Sequence, residues 1–257
     1  MMIELKNISL AFGSRTLIQD SSACFKAGHL VALLGRNGTG KSTLLRAIAS
    51  LGMLQGGEIY VDGRPLSELS SRDLARKIAF VNTERISVEA LTVHDLVAIG
   101  RSPYTDWMGR TTKEDEEIIA QSIELAGVAH LATRSVETLS DGEAQRVMIA
   151  RALAQQTEVI LLDEPTSFLD LPNRYELCLL LQRLAHEQGK CVIFSTHELD
   201  IALSLADNIA LVDTPHLLYR KTEDMISSGD IERLFDSEHI SFDATTQSIR
   251  LHRYQSM

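Results

Sequence analysis

The sequence predicts an α/β fold with a core built on a mostly parallel sheet, an antiparallel β subdomain at the N-terminal end and an inserted helical lobe. Three observations support this prediction. Short apolar runs alternate with stretches of helical periodicity, as in parallel sheets whose two faces are covered by helices. Strand-like patterns dominate the first 35 residues. A long stretch with consecutive helix-start signals then separates two parts of the core.

The N-terminal elements are predicted as short strands. Apolar residues punctuate polar ones between Ile3 and Leu10, and the apolar run 29–34 ends at Gly35. Residues 42–49 then follow a helical pattern, and residues 56–63 form a strand bounded by turn residues. A glycine-rich segment therefore lies at a strand-to-helix junction.

Helix-start signals define the inserted lobe. Thr92 and Thr112 each have an aspartate three positions later, as at capped helix N-termini. The apolar strands 159–162 and 191–194, with a helix between them, mark the return to the core. We therefore predict a single domain over residues 1–257, with a core at 1–83 and 157–213, a helical lobe at 84–156 and a C-terminal tail at 214–257 that has short strands and one helix near Ile231.

The composition excludes several classes of protein. Hydrophobic residues make up 44% and charged residues 23% of the chain, which disfavours disordered, collagen-like and disulfide-scaffold classes. The net charge of -10 provides no overall basic surface, so no nucleic-acid partner is expected. Three widely spaced cysteines lack the spacing of metal ligands. Neither a signal peptide nor a membrane span is recognisable, so the chain is expected to stay in the cytosol.

A glycine-rich phosphate loop carries the strongest chemical signal. Its residues are Gly35, Arg36, Asn37, Gly38, Thr39, Gly40, Lys41 and Ser42, and Thr43 follows in the helix. The glycines let the backbone curl so that its N–H groups point at phosphate oxygens, and the following helix adds the positive end of its dipole. Lys41 supplies a point charge and Ser42 offers a hydroxyl to Mg²⁺. The loop predicts the core of a P-loop NTPase that binds ATP with Mg²⁺.

Two adjacent acids follow the buried strand 159–162. Open α/β sheets bind ligands at the carboxyl ends of their strands. Asp163 is therefore expected to hold Mg²⁺ through water, and Glu164 to polarise the attacking water. By itself, a strand that ends in two acids is equally typical of a solvated strand end. The phosphate loop in the same chain favours the catalytic interpretation.

The signature segment, Leu139-Ser140-Asp141-Gly142-Glu143, precedes a helix that continues through Arg151. Its spacing predicts a capping box between Ser140 and Glu143, and Asp141 suits the positive end of the helix. The segment also resembles the LSGGQ signature motif of ATP-binding-cassette (ABC) ATPases. The resemblance covers nearly the whole chain and rests on the order of its motifs: phosphate loop, helical lobe, signature segment, 163–166, 167–170 and 194–197.

The resemblance implies a site shared between two copies of the chain. In ABC ATPases two domains sandwich two ATP molecules head to tail, so Ser140 and Gly142 would contact the γ-phosphate bound by the other copy. Asp141 and Glu143 replace the commoner glycine and glutamine of the signature. The capping role and the phosphate contact use the same helix end and are compatible.

Other residues match the family's motifs one by one. His197 matches the switch histidine, which would bridge the γ-phosphate and the Asp170 region of the second copy. Phe12 matches the aromatic residue that stacks on adenine, although an aromatic residue near a strand end is equally typical of the core. The family's glutamine after strand 78–81 is missing. Thr83 is the leading candidate for its place, through its hydroxyl, and Glu84 is the rival.

The leading functional hypothesis is the energy-coupling ATPase subunit of an ABC importer. It implies transmembrane permease subunits, a homodimer, an indirect link to a substrate-binding protein and a peripheral position on the cytoplasmic face of the cell (inner) membrane. Residues 100–117 resemble the helical lobe of importers for iron-siderophores, haem and cobalamin, although a charged surface loop would look similar. The alternative is a soluble ABC ATPase that acts on nucleic acid or ribosomes. A P-loop kinase would leave the signature segment and His197 without a role.

Overall fold

The computed structural model describes residues 2–82, 88–106, 108–167, 169–237 and 239–251. The strands are β1 Met2–Phe12, β2 Arg15–Lys26, β3 Leu30–Leu34, β4 Gly56–Val61, β5 Arg64–Pro65, β6 Ile78–Val81, β7 Val159–Leu162, β8 Cys191–Thr196, β9 Asn208–Asp213, β10 His216–Lys221, β11 Ile240–Asp243 and β12 Ser248–Leu251. The α-helices are α1 Lys41–Ile48, α2 Ser71–Ala75, α3 Val93–Ala98, α4 Lys113–Leu125, α5 Asp141–Ala154, α6 Leu171–His186, α7 Leu199–Leu205, α8 Thr222–Ser227 and α9 Asp230–Phe235.

The core is a six-stranded sheet in the order β10-β9-β3-β8-β7-β6. From β6 to β9 neighbouring strands are parallel, and only the edge strand β10 runs antiparallel. Strands β3, β7 and β8 are buried along their whole length, as expected for parallel strands covered on both faces. The predicted α/β fold with a mostly parallel sheet is confirmed.

The N-terminal subdomain is a four-stranded antiparallel sheet in the order β2-β1-β4-β5. Strands β1 and β2 are longer than the short strands that the sequence predicts. Asn7 and Asp20 have positive φ values of 49° and 44°, which ordinarily mark a strand end for polar residues. Here the pairing shifts register but continues past them, so one long hairpin leads from the chain start towards β3.

Helices α3, α4 and α5 lie between β6 and β7 in the chain, where the sequence predicts helices. Thr92 and Thr112 form capping boxes at the N-termini of α3 and α4. A buried ion pair holds the lobe together, because Arg101 Nε donates to Asp115 Oδ1 at 2.7 Å and Arg101 Nη1 donates to the Ala154 carbonyl at 2.8 Å. The division of the chain into core, lobe and tail stays a prediction.

The C-terminal region differs in detail from its prediction. Its described residues form two short helices, α8 and α9, where the sequence predicts one, and then the β11–β12 hairpin. Helix α8 has only six residues and follows β10 directly, so it carries too little periodicity to be recognised. Within the described residues, no helix has the length and apolar character needed to span a bilayer.

Candidate active site

The phosphate loop connects β3 to α1 at the carboxyl edge of the parallel sheet. Gly38 and Gly40 have φ values of +77° and +106°, a region that residues with a Cβ rarely adopt. At Gly35 a Cβ would lie 2.8 Å from the Val212 carbonyl oxygen. Arg36 and Asn37 are exposed at the rim of the loop. Close packing thus requires glycine at position 35, and backbone conformation requires it at positions 38 and 40.

Two side chains brace the loop from within. The Thr39 hydroxyl donates to the Arg36 carbonyl at 2.9 Å. Lys41 is 4% exposed, and its ammonium donates to the carbonyls of Gly35 at 2.9 Å and Arg36 at 3.2 Å. Burial lowers the pKa of Lys41, and the carboxylates of Glu164 and Asp163 oppose this shift. A buried cation at the centre of a glycine cradle matches the chemistry of phosphate binding.

Asp163 and Ser42 meet next to the loop. Asp163 follows β7, and its backbone N–H donates to the Val81 carbonyl at 2.8 Å, which fixes the strand end. The Ser42 hydroxyl, in the first turn of α1, donates to Asp163 Oδ1 at 2.9 Å. A hydroxyl and a carboxylate, both oxygen donors, suit Mg²⁺, which needs few protein ligands and keeps several waters. The residues present therefore fit the metal that the sequence predicts.

Glu164 lies between the phosphate loop and His197. Its Oε1 is 3.7 Å from Lys41 Nζ and 3.6 Å from His197 Nδ1. Glu164 has a positive φ of 43°, and the Ser167 hydroxyl donates to its Oε2 at 3.2 Å. The structure thus brings together the acid, the lysine and the histidine, which come from three separate parts of the chain.

A cavity of about 320 Å³ opens beside the loop, lined by Phe12, Arg15, Leu17, Gly38, Gly40, Lys41, Ser42, Thr43 and Glu164. Phe12 is 76% exposed, so the alternative that it belongs to the core is wrong. It ends β1 and pairs across a tight hairpin with Arg15. An exposed aromatic ring at the mouth of a phosphate-binding cavity is available for stacking on a planar base.

The signature segment begins helix α5 as the capping box predicts. The Glu143 N–H donates to the Ser140 hydroxyl at 3.3 Å, and the Ser140 N–H donates to Glu143 Oε2 at 2.8 Å. This backbone N–H, together with the Ser140 hydroxyl, lowers the pKa of Glu143. Asp141 and Gly142 form the first turn of the helix. Among the described residues that line the cavity, none belongs to this segment.

Asp170 caps helix α6 by accepting the Asn173 N–H at 3.2 Å. A neighbouring brace connects this turn to the residues after His197. Arg174 donates to the Leu169 carbonyl at 2.7 Å and to Glu198 Oε2 at 2.6 Å, and the Thr166 hydroxyl donates to Glu198 Oε1 at 3.0 Å. Glu198, directly after His197, is therefore bonded to residues on both sides of Asp170, which holds the two segments together.

Thr83 and Glu84 lie outside the described residues, so the choice between them stays a prediction. Sequence reasoning missed Arg15 and Ser195 as members of the site. The turn Gly13-Ser14 between two strand patterns is a hairpin signal that predicts Arg15 opposite Phe12. Ser195, two positions before His197 at the end of β8, carries no comparable local signal.

Comparison with known proteins identifies relatives over most of the chain. Residues 18–167 match the family model described as ABC transporter. The ferric enterobactin transport ATP-binding protein of Escherichia coli is 35% identical over 90% of this chain and 85% of its own length. The iron(3+)-hydroxamate import ATP-binding protein of Bacillus subtilis is 38% identical over 78% of this chain and 74% of its own length.

Solved structures agree with these matches. A metal-chelate type ABC transporter in an inward-facing conformation superposes with a TM-score of 0.80 at 30% identity, over 91% of this chain and 88% of that one. A dimeric ATP-binding cassette in a post-hydrolysis state, bound to ADP and phosphate, superposes with a TM-score of 0.73 at 28% identity, over 86% of this chain and 98% of that one. Sequence, fold and site agree, and the chain belongs to the ABC transporter family as an ATP-hydrolysing subunit.

Proposed function

We propose that this chain hydrolyses ATP to drive an importer for iron-siderophores or a related metal chelate such as haem or cobalamin. One observation carries the hydrolysis: the Glu164 carboxylate lies between Lys41 in the phosphate loop and His197 after β8. The cargo class is supported by the relatives, whose names include ferric enterobactin transport and iron-hydroxamate import. The structural neighbour of metal-chelate type supports the same class.

The proposed chemistry uses the chain's own residues. Backbone N–H groups of the phosphate loop and the Lys41 ammonium bind the phosphates, and Phe12 stacks on the adenine. Glu164 accepts a hydrogen bond from the attacking water and orients it, while His197 contacts the γ-phosphate side of the cavity. Ser42 and Asp163 would hold Mg²⁺, which would supply positive charge against the phosphate oxygens.

The second half of the site comes from another copy of the chain. Ser140 and Gly142 begin helix α5, whose N-terminal N–H groups suit a phosphate, yet this helix end lies outside the cavity of its own chain. A head-to-tail homodimer would bring each signature segment to the other copy's phosphate loop. The dimeric cassette among the structural neighbours supports this arrangement.

Permease subunits complete the transporter. A groove of about 400 Å³ lies at the end of β6 and is lined by Arg46, Leu51, Phe80, Asn82 and Arg151. Leu51 and Met53 are exposed apolar residues on the α1 side, at 64% and 89%, and Arg151 belongs to α5. A partner in this groove touches both the core and the signature helix, which would couple dimer closure to the permease. The chain would then sit on the cytoplasmic face of the membrane, linked through the permease to a substrate-binding protein.

The first test removes the acid while keeping its shape. Glu164→Gln should lower the steady-state ATPase rate by roughly a hundred-fold or more, because positioned acids and bases contribute about that much, and should trap an ATP-bound dimer in size-exclusion chromatography. Glu124→Gln, the same change on an exposed position of α4, is the matched control and should leave the rate unchanged. Undiminished hydrolysis by Glu164→Gln would remove this residue from its role.

The second test concerns the partner and the cargo. Tagged chain recovered from solubilised membranes should bring down a multi-span permease, and cells that carry Glu164→Gln should lose uptake of a ferric hydroxamate. If haem or cobalamin uptake is lost while ferric hydroxamate uptake stays intact, the cargo is another member of the same class. Recovery of ribosomes or DNA in place of a permease would support the non-transport alternative.

A further inference from the structure

Ser195 joins the two acids of the site. It ends the apolar run of β8, is fully buried at 0% exposure, and pairs in register with Leu33 of β3. Its hydroxyl donates to Asp163 Oδ1 at 2.7 Å and accepts the backbone N–H of Glu164 at 2.8 Å. The Ser195 hydroxyl therefore bonds two adjacent acidic residues at once. It donates its hydrogen to the first and accepts a hydrogen bond from the second.

The backbone at Glu164 explains why this contact matters. A non-glycine residue with a φ of +43° is in a conformation that costs free energy and persists only when surrounding contacts fix it. The backbone of this turn is held by the Ser195 hydroxyl on the Glu164 N–H and by the Ser167 N–H on the Glu164 carbonyl at 3.1 Å, while the Ser167 hydroxyl holds the Glu164 carboxylate. The direction of the Glu164 side chain towards Lys41 and His197 depends on this turn.

The same hydroxyl fixes the position of Asp163. Asp163 Oδ1 accepts from both Ser42 and Ser195, so the carboxylate is held from α1 on one side and from β8 on the other. A side chain at this position without a hydroxyl leaves the part-buried backbone N–H of Glu164 without this partner and one contact to Asp163 Oδ1 unmade.

We infer that Ser195 is a positioning residue for ATP hydrolysis, which holds Glu164 in its left-handed turn and aligns it with Asp163. This inference rests on the proposed catalytic role of Glu164. Ser195 lines no part of the cavity among the described residues, so it acts through the two acids and does not contact the nucleotide. Its loss should lower kcat while leaving nucleotide affinity in place.

The experiment compares Ser195→Ala, Ser195→Thr and Ser195→Val in the full chain. Threonine and valine have the same shape and differ by the hydroxyl, so this pair separates hydrogen bonding from packing in the buried strand. Ser195→Ala and Ser195→Val should lower kcat by about ten-fold or more, the usual effect of losing one hydrogen bond to a charged or strained group. Ser195→Thr should keep most of the wild-type kcat.

Two further readouts distinguish positioning from unfolding. Binding of a fluorescent ATP analogue should be retained by Ser195→Ala, since the phosphate loop is untouched, and the melting temperature should fall by only a few degrees, as for the loss of about one hydrogen-bonded group. Ser122→Ala removes another buried hydroxyl, which donates to the Ile118 carbonyl in α4, and should leave kcat unchanged. If the larger side chains prevent folding, Ser195→Ala against Ser122→Ala still decides the question.

Glu164→Gln, measured in parallel, separates the failure of this inference from the failure of the proposed function. A Ser195→Ala variant with wild-type kcat beside an inactive Glu164→Gln variant would overturn the role of Ser195 alone. Equal rates for folded Ser195→Thr and Ser195→Val, or a loss confined to nucleotide affinity, would also overturn it. An active Glu164→Gln variant would instead overturn the role of the acid.

Discussion

At the scale of single residues, Ser140 has two separable roles. Its side chain caps α5 within its own chain, and the proposed dimer uses the same hydroxyl on the other copy's nucleotide. Capping requires only a side chain that accepts a hydrogen bond, whereas contact with a γ-phosphate also requires a side chain that can donate one. Substitutions that differ in these two properties therefore have different effects on stability and on hydrolysis.

Three variants test this separation. Ser140→Ala should destabilise the protein by about 1 kcal/mol through the lost cap and also lower the ATPase rate. Ser140→Asp should keep most of the melting temperature but abolish hydrolysis, because its ionised carboxylate has no hydrogen to donate to the phosphate and adds a repelling charge at the contact. Ser140→Thr, the control, should keep both. Thermal melts and steady-state ATPase assays provide the measurements, and an active Ser140→Asp variant would contradict the phosphate contact.

Residue types and their order in the chain were enough to predict most of this site. The glycines, Lys41 and Ser42 are adjacent in sequence, and the acids directly follow an apolar strand, so local patterns predict them. The choice between stacking and core for Phe12 stayed open in the sequence, because the exposure of a side chain depends on the tertiary structure. Ser195 was missed because its partners, Asp163 and Glu164, are more than 30 positions away and meet it only through the parallel pairing of β7 with β8.

At the scale of elements, a buried ion pair stabilises the helical lobe. Arg101 and Asp115 are 5% and 7% exposed, and Asp115 also accepts the Thr112 N–H at 2.8 Å as part of the α4 capping box. The Thr112 N–H, and then the Arg101 guanidinium, hold the pKa of Asp115 below its ordinary value against the opposing effect of burial. The pair joins the start of α4 to the end of α5, where Arg101 reaches the Ala154 carbonyl.

Removal of this charge should destabilise the lobe. Asp115→Asn leaves the buried guanidinium without its carboxylate and should cost about 3 kcal/mol at neutral pH. Because the pKa of Asp115 is lower in the folded than in the unfolded protein, its carboxylate stabilises the fold above the unfolded pKa of about 3.9. This stabilisation is lost as the pH falls through the folded pKa. Urea melts from pH 7 to pH 3 should show the difference between wild type and variant shrinking below about pH 4. The exposed change Asp106→Asn is the control, and a constant difference across this range would contradict the assignment.

Helix starts in the lobe were predictable because a capping box is a local pattern, and Thr92, Thr112 and Ser140 all form one. The length of the first hairpin was not predictable, because Asn7 and Asp20 resemble strand ends when they are considered alone. Pairing with neighbouring strands carries the chain past such residues, since a ladder of backbone hydrogen bonds outweighs the local cost of a positive φ.

At the scale of the whole molecule, the proposed site is shared between two copies of the chain. The phosphate loop and the acids lie at the carboxyl edge of the parallel sheet, while the signature segment begins a helix of the lobe outside that cavity. The resemblance to ABC ATPases implies this separation, whereas composition and local patterns do not. The lining of the cavity supports the proposal that one copy supplies half of each site.

Complementation between two inactive variants tests this division. Lys41→Ala disables a chain's own phosphate loop, and Ser140→Asp disables the signature that it offers to its partner. In a heterodimer of the two, one site combines an intact phosphate loop from the Ser140→Asp chain with an intact signature from the Lys41→Ala chain. Random pairing at equal concentrations makes about half of the dimers heterodimers with one intact site of two, so the mixture should recover up to about a quarter of the wild-type ATPase rate. Each variant alone should stay inactive, and differently tagged chains confirm that heterodimers form. No recovery in the presence of proven heterodimers would contradict a shared site, because each chain would then need both of its own elements.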